Sequence, residues 1–166
     1  MTEARALVVT VSNRASAGVY SDRSGPIVVE GLRESGFLVD GPLVVPDGDP
    51  VEEALRDAVA AGYDVVVTNG GTGLSPLDLT PERTRRVLDY EVPGVPEAIR
   101  AYGVAHGIPT SVLSRGIAGV AGRTFVVNLP GSPGGCKDGV AVLQGFLVHA
   151  VDQLHGGDHT PPGGSR

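Results

Sequence analysis

The stretch TNGGTGLSPLDLTPE, residues 68–82, places Gly70, Gly71 and Gly73 within four positions at the exit of the apolar run DVVV, and follows them with Asp78 and a Thr-Pro-Glu triplet. Glycine tolerates positive φ and close approach of a ligand, so successive N–H groups of Gly70-Gly71-Thr72-Gly73 can turn inward and hold an anion, a phosphate above all. A carboxylate such as Asp78 beside that anion would repel it unless a cation such as Mg²⁺ lay between them. Thr80, Pro81 and Glu82 read as a helix start, with Thr80 as N-cap, Pro81 at the first helical position and Glu82 near the positive end of the helix dipole. No helical rule requires an acid at position 78. Taken alone, the glycines could also form a plain tight turn. They do not form a Walker A loop, since no Gly-Lys-Ser/Thr follows, nor the GxGxxG dinucleotide fingerprint, whose place would be after the first strand.

Such a turn needs a rigid frame. Apolar runs without alternation occur at 6–11, 38–45 and 64–68, each followed by a polar or Gly-rich break and then helical spacing, the pattern of parallel strands buried on both faces. Helices are predicted at 26–35, 50–61, 81–89, 96–106 and 138–154, four of them opening on proline. SVLSR (111–115) and TFVVNL (124–129) read as two further strands separated by the short GIAGVAG, one of them antiparallel. The expected fold is therefore a three-layer α/β/α arrangement around a mostly parallel sheet, in which ligands bind beyond the carboxyl ends of the strands. Residues 1–155 form one unit. The polar tail 156–166 is expected to be disordered.

With 19 acidic against 13 basic residues and a net charge of −6, the chain gathers no basic face for nucleic acid. The start MTEARALVVTVSNR is too short and too polar for a signal peptide or a membrane span, and a cytoplasmic location is expected. The single cysteine, Cys136, excludes an internal disulfide and has no histidine near it in sequence to make it a nucleophile. His155 and His159 are four apart, but Gly156-Gly157 removes the helix that would align them on a metal.

Four segments together resemble the molybdenum cofactor biosynthesis family that includes MogA, MoaB and the gephyrin G domain. These are the glycine stretch itself, VSNRASAGVYSDRSG (11–25) after the first strand, VVPDGDP (44–50) after the second, and NLPGSPGG (128–135) after the last. The resemblance implies a homotrimer that binds molybdopterin and Mg-ATP. In catalytic members the terminal phosphate of the pterin attacks the α-phosphorus of ATP, giving adenylylated molybdopterin and pyrophosphate. The family's molybdenum-insertion enzyme is an implied partner. By the same resemblance Asp47 and Asp78 are the catalytic carboxylates and Mg²⁺ ligands. Ser12, Arg14, Asn69, Gly70, Gly71, Thr72, Gly73, Thr80, Pro130, Gly131 and Ser132 are the substrate-binding positions, Ser132 at a helix start where free N–H groups attract anions.

Bland readings stand beside these. Asp47 in PDGDP could be a turn residue, Ser132 a helix-start residue and Arg14 a surface charge. Two positions depart from the family pattern: Asn13 stands where many relatives have Asp, and Leu77 where many have Arg or another polar residue. Loss of that cation leaves open a non-catalytic carrier of molybdopterin. A relative acting on pyridine nucleotides is the third reading, and Thr72 argues against it, since that branch more often carries Leu there.

Overall fold

The computed structural model describes residues 3–157. Its six strands are β1 (Arg5–Val11), β2 (Leu38–Val45), β3 (Val65–Asn69), β4 (Tyr90–Glu91), β5 (Ala118–Ala121) and β6 (Thr124–Leu129), in the sheet order β2-β1-β3-β6-β5-β4. The first four strands in that order run parallel, while β5 pairs antiparallel with both β6 and β4.

Alternate residues along each central strand serve opposite faces. Ala6 and Val8 of β1, Val65 and Val67 of β3 and Phe125, Val127 and Leu129 of β6 enter one core. That core is closed by Val28 and Leu32 of α2 (Gly25–Glu34), Val95 and Ile99 of α5 (Gly94–Ala105), Val140 and Leu143 of α6 (Pro133–Gln144) and Leu147 and Val151 of α7 (Leu147–Leu154). Leu7, Val9, Val66 and Val126 face the other way, onto Val51, Ala54, Leu55 and Ala58 of α3 (Asp49–Ala60). Both faces of the central strands β1, β3 and β6 are covered, which explains why these read as continuous apolar runs. β2, expected to be buried on both faces, is instead an edge strand without a buried residue, because no strand flanks it on one side and Leu38 and Leu43 remain exposed.

Two further expectations need correction. Residues 111–115 do not form a strand: a 3-10 turn spans Pro109–Leu113, and the strand beside β6 is Ala118–Ala121, inside the segment read as a spacer. The helix expected at 138–154 begins at Pro133, where Ser132 caps it, and breaks at Gly145-Phe146 into α6 and α7. Two short elements were not foreseen, α1 (Asn13–Ser16) and the edge strand β4. Most of the tail expected to be disordered, 158–166, lies outside the described residues.

After β1 the chain turns to β2 on one side and then crosses to β3 on the other, so the strand order reverses direction around β1. Open α/β sheets form a crevice at such a point, at the carboxyl ends of the strands. The loops after β1, β3 and β6 converge there.

Candidate active site

The turn after β3 is built from glycine by steric need. Gly70 (φ +104°) and Gly71 (φ +68°) both lie in the left-handed region; a Cβ on Gly70 would strike the Val11 carbonyl, and one on Gly71 would strike Thr80 Oγ1 and the Asp47 carboxylate. The Gly70 N–H donates to the Leu129 carbonyl at 3.0 Å, so the turn hangs from β6 and this amide is not available to an anion. Among the described residues no acceptor engages the N–H groups of Gly71, Thr72 or Gly73. The donors expected for a phosphate therefore reduce to those three.

Asp47, in the loop after β2, is drawn to this turn. Its Oδ1 accepts from the Gly48 N–H at 2.7 Å and from Thr80 Oγ1 at 3.1 Å, and its Oδ2 accepts from the Leu79 N–H at 3.1 Å. Its own N–H donates to Asn13 Oδ1 at 3.0 Å. Thr80 is thus the first residue of α4 (Thr80–Arg85) and spends its hydroxyl on Asp47, not on a cap; Leu79 holds the N-cap position with no side-chain capping bond. Behind it, buried Asn128 Nδ2 donates to Thr68 Oγ1 at 2.9 Å and Thr84 Oγ1 at 3.0 Å, and Thr84 Oγ1 donates to the Thr80 carbonyl at 2.8 Å. A continuous polar chain runs from the sheet core through Thr84 and Thr80 to Asp47.

Asp78 stands on the other flank, close enough that a Cβ on Gly73 would lie 2.8 Å from its Oδ2. That oxygen accepts from the Ser75 N–H at 3.1 Å. Arg115, which follows the 3-10 turn, spans this segment: its N–H donates to the Thr72 carbonyl, its Nε to the Gly73 carbonyl and one terminal nitrogen to the Asp78 carbonyl, each at 2.8 Å. The other terminal nitrogen pairs with Glu82, and this bond holds the Glu82 carboxyl below the usual carboxylate range against a smaller opposing desolvation. Arg115 carries no local signal in the sequence, because its partners lie more than thirty positions away.

Two clefts open here. One, about 660 Å³, is lined by Gly71, Thr72, Gly73, Asp78, Ser132 and Lys137 with the 3-10 turn opposite. The other, about 560 Å³, is lined by Ser12, Tyr20, Asp22, Asn69, Gly70 and Gly131 among others. Gly71 and Gly131 line both, and Gly131 packs so close to Gly70 that a Cβ would meet its Cα at 3.2 Å. In the second cleft Ser12 Oγ accepts from the Ala15 N–H, capping α1, and bonds the Tyr20 hydroxyl at 3.2 Å. Thr10 Oγ1 lies 2.7 Å from Asp22 Oδ2 and 3.2 Å from Asn69 Oδ1, and Asp22 Oδ1 accepts from the N–H groups of Ser24 and Gly25. Asp22, in the SDRSG segment, is thus a further carboxylate of the second cleft, beyond the expected site residues. Arg14 is exposed on α1 and lines neither cleft. Ser132 Oγ accepts from the Gly135 N–H at 3.0 Å as the N-cap of α6, and Pro130 precedes it in the first cleft's wall. Cys136 is buried beneath, its thiol pushed up to about 12 by desolvation.

Among the described residues no three His, Cys, Asp or Glu side chains converge on a metal position. The donor set nevertheless suits Mg²⁺ carried in by a substrate, since that ion keeps several waters and takes one or two carboxylates together with phosphate oxygens. A carboxylate offers about four acceptor sites. Asp78 spends one of these on a protein donor, and Asp47 spends three.

The model of the probable molybdopterin binding domain matches residues 7–149. The chain belongs to the molybdenum cofactor biosynthesis (MogA/MoaB) family. Among relatives of this family, a molybdenum cofactor biosynthesis bifunctional protein of Chlorobaculum tepidum is 37% identical over 93% of this chain and 50% of its own length. The molybdopterin adenylyltransferase of Haemophilus influenzae is 39% identical over 79% of this chain and 68% of its own. A solved structure of MogA superposes with a TM-score of 0.88 at 57% identity, covering 90% of this chain and 99% of that one. The chain spans about half the length of the bifunctional family members it matches.

Proposed function

We propose that this member of the MogA/MoaB family is a molybdopterin adenylyltransferase. It joins the terminal phosphate of molybdopterin to the AMP of Mg-ATP and releases pyrophosphate. The observation that carries this reading is the pair of clefts sharing Gly71 and Gly131 as a common wall. Transfer between two bound molecules needs two sites with one junction, and holding both reactants there removes much of the entropic cost of their meeting. The name of the Haemophilus relative supports the same chemistry.

At the junction the pterin phosphate oxygen forms a bond to the α-phosphorus as the bond to the pyrophosphate oxygen breaks, without a covalent enzyme intermediate. The free N–H groups of Gly71, Thr72 and Gly73 bind phosphate oxygens, with Ser132 and the N-terminus of α6 at the edge of the first cleft. Mg²⁺, when bound, neutralises phosphate charge. Asp78 offers it an open oxygen, and Asp47 both offers its remaining acceptor site and fixes the angle of α4 against the turn. Ser12, Asn69 and Gly70 shape the second cleft; Arg14 reaches substrate only from outside it. We further propose that residues 1–155 form the functional unit, that it acts in the cytoplasm as a homotrimer, and that the enzyme inserting molybdenum takes its product. The exposed Leu74, Leu77, Val112 and Leu113 are apolar surface that another copy would cover.

The test is incubation with molybdopterin, Mg²⁺ and ATP labelled at the α-phosphate. Label on the pterin with release of unlabelled pyrophosphate supports transfer. Tight molybdopterin binding with no label makes the protein a carrier.

A further inference from the structure

The segment between Gly73 and Asp78 is Leu74-Ser75-Pro76-Leu77, all of it exposed, with Leu74 66% and Leu77 68% accessible. Its own bonds are local: Ser75 Oγ accepts from the Leu77 N–H at 3.3 Å and the Ser75 carbonyl from the Asp78 N–H at 2.9 Å, which shape the turn without tying it to the rest of the fold. Its two ends are nevertheless brought to one planar group: Arg115 Nε holds the Gly73 carbonyl and a terminal nitrogen holds the Asp78 carbonyl, both at 2.8 Å. The Arg115 main-chain N–H holds the Thr72 carbonyl one residue earlier, and Glu82, in the first turn of α4, takes the remaining terminal nitrogen as the third partner of the guanidinium. The Asp78 carboxylate in turn takes its orientation from the Ser75 N–H inside the loop so closed.

We propose that Arg115 is a positioning residue, the staple that closes the neck of the 73–78 loop and thereby aims the Asp78 carboxylate and the Thr72 and Gly73 amides at the junction of the two clefts. It touches no substrate and acts through Asp78. The requirement is for a guanidinium: its donors lie in a fixed fork that meets several acceptors at once, whereas a lysine ammonium is a point charge on a flexible stem. Glu82 holds the fork in its plane and contributes less than the guanidinium's two carbonyl contacts, because the pair is partly exposed, with side-chain accessibilities of 34% and 46%.

The kinetic arm rests on the adenylyl-transfer reading; the exchange arm does not. Arg115→Lys and Arg115→Ala are expected to lower kcat by about 10- to 100-fold, since a displacement of order 1 Å at a reacting centre costs about that much, with a smaller change in KM for molybdopterin. Glu82→Gln should lower kcat only a few-fold. In parallel, backbone hydrogen exchange should speed up at residues 72–78 in both Arg115 variants while β3 and β6 stay protected. Unchanged kcat and unchanged exchange at 72–78 would overturn the proposal. So would protection lost equally across β3 and β6, which would make Arg115 a general stabiliser. If Arg115→Ala does not fold, Arg115→Lys carries both measurements. If the wild type transfers no label, adenylyl transfer fails as a reading, and the exchange result still decides the role of Arg115.

Discussion

At the residue scale, the two carboxylates flanking the glycine turn differ in how much of each is already committed. Asp47 accepts three protein donors, so Asp47→Asn turns one oxygen into a donor that faces donors, at a cost of about 1–3 kcal/mol. Asp78 accepts one, from Ser75, and an asparagine carbonyl can keep that bond. We therefore expect Asp78→Asn to leave the thermal midpoint unchanged and to reduce label transfer sharply, and Asp47→Asn to lower both. Thermal unfolding measured beside turnover checks the pair. Equal midpoints for the two variants would remove the clasp role of Asp47, and full turnover in Asp78→Asn would remove Asp78 from the chemistry. Asp78 is a site candidate by its offset from the helix start and Asp47 only by the family resemblance, and the difference in their commitments is not legible, because bonds that commit Asp47 come from Leu79 and Thr80, more than thirty positions away.

Among the elements, those with strong local signals were readable and those set by distant packing were not. Strands β1, β3 and β6 are mostly apolar runs that declare themselves, and β2 keeps Leu38-Val39 and Leu43-Val44-Val45 on either side of Asp40-Gly41-Pro42. β5 is AGVA, small residues between glycines, and its place as a strand comes from its backbone pairing with β6 and β4. The segment 111–115 offers only Val112-Leu113 as an apolar pair, and Pro109 starts a 3-10 turn there, closed by the Ser111 N–H on the Ile108 carbonyl. The apolar spacing of 138–154 continues across Gly145, so the break there is invisible locally; it lets Leu147 and Val151 reach the core at a new angle. Glycine positions sort in the same way by their surroundings. Gly71→Ala forces a side chain into positive φ against Thr80 and Asp47, and should destabilise the fold by more than about 1 kcal/mol. Gly134→Ala in the first turn of α6 meets open space at an ordinary helical φ, and should stabilise it by about 0.5–1 kcal/mol. Denaturant midpoints decide both; a neutral Gly71→Ala would mean that the turn is not confined as described.

For the whole molecule, burial of the single cysteine supplies a probe of global opening. Cys136 is enclosed beneath the start of α6 and its thiol is pushed up to about 12, so the native protein should resist iodoacetamide at pH 8 and react fully once unfolded. The sign with pH follows. A thiol whose folded value lies above its ordinary 9.0 favours the folded state fully below about pH 9 and loses that contribution as pH rises toward 12. Unfolding curves at pH 8 and pH 10 should show the loss, and its persistence in Cys136→Ser would assign the alkaline loss to another group. The shared wall of Gly71 and Gly131 carries a different lesson. A compound that fills both clefts as one covalent molecule makes the contacts of two ligands while surrendering the translational freedom of one, so it binds far more tightly than either half. The product of the proposed transfer is such a compound. Its formation is then easier than its departure, and a downstream enzyme that draws it off would govern the rate at which the sites empty.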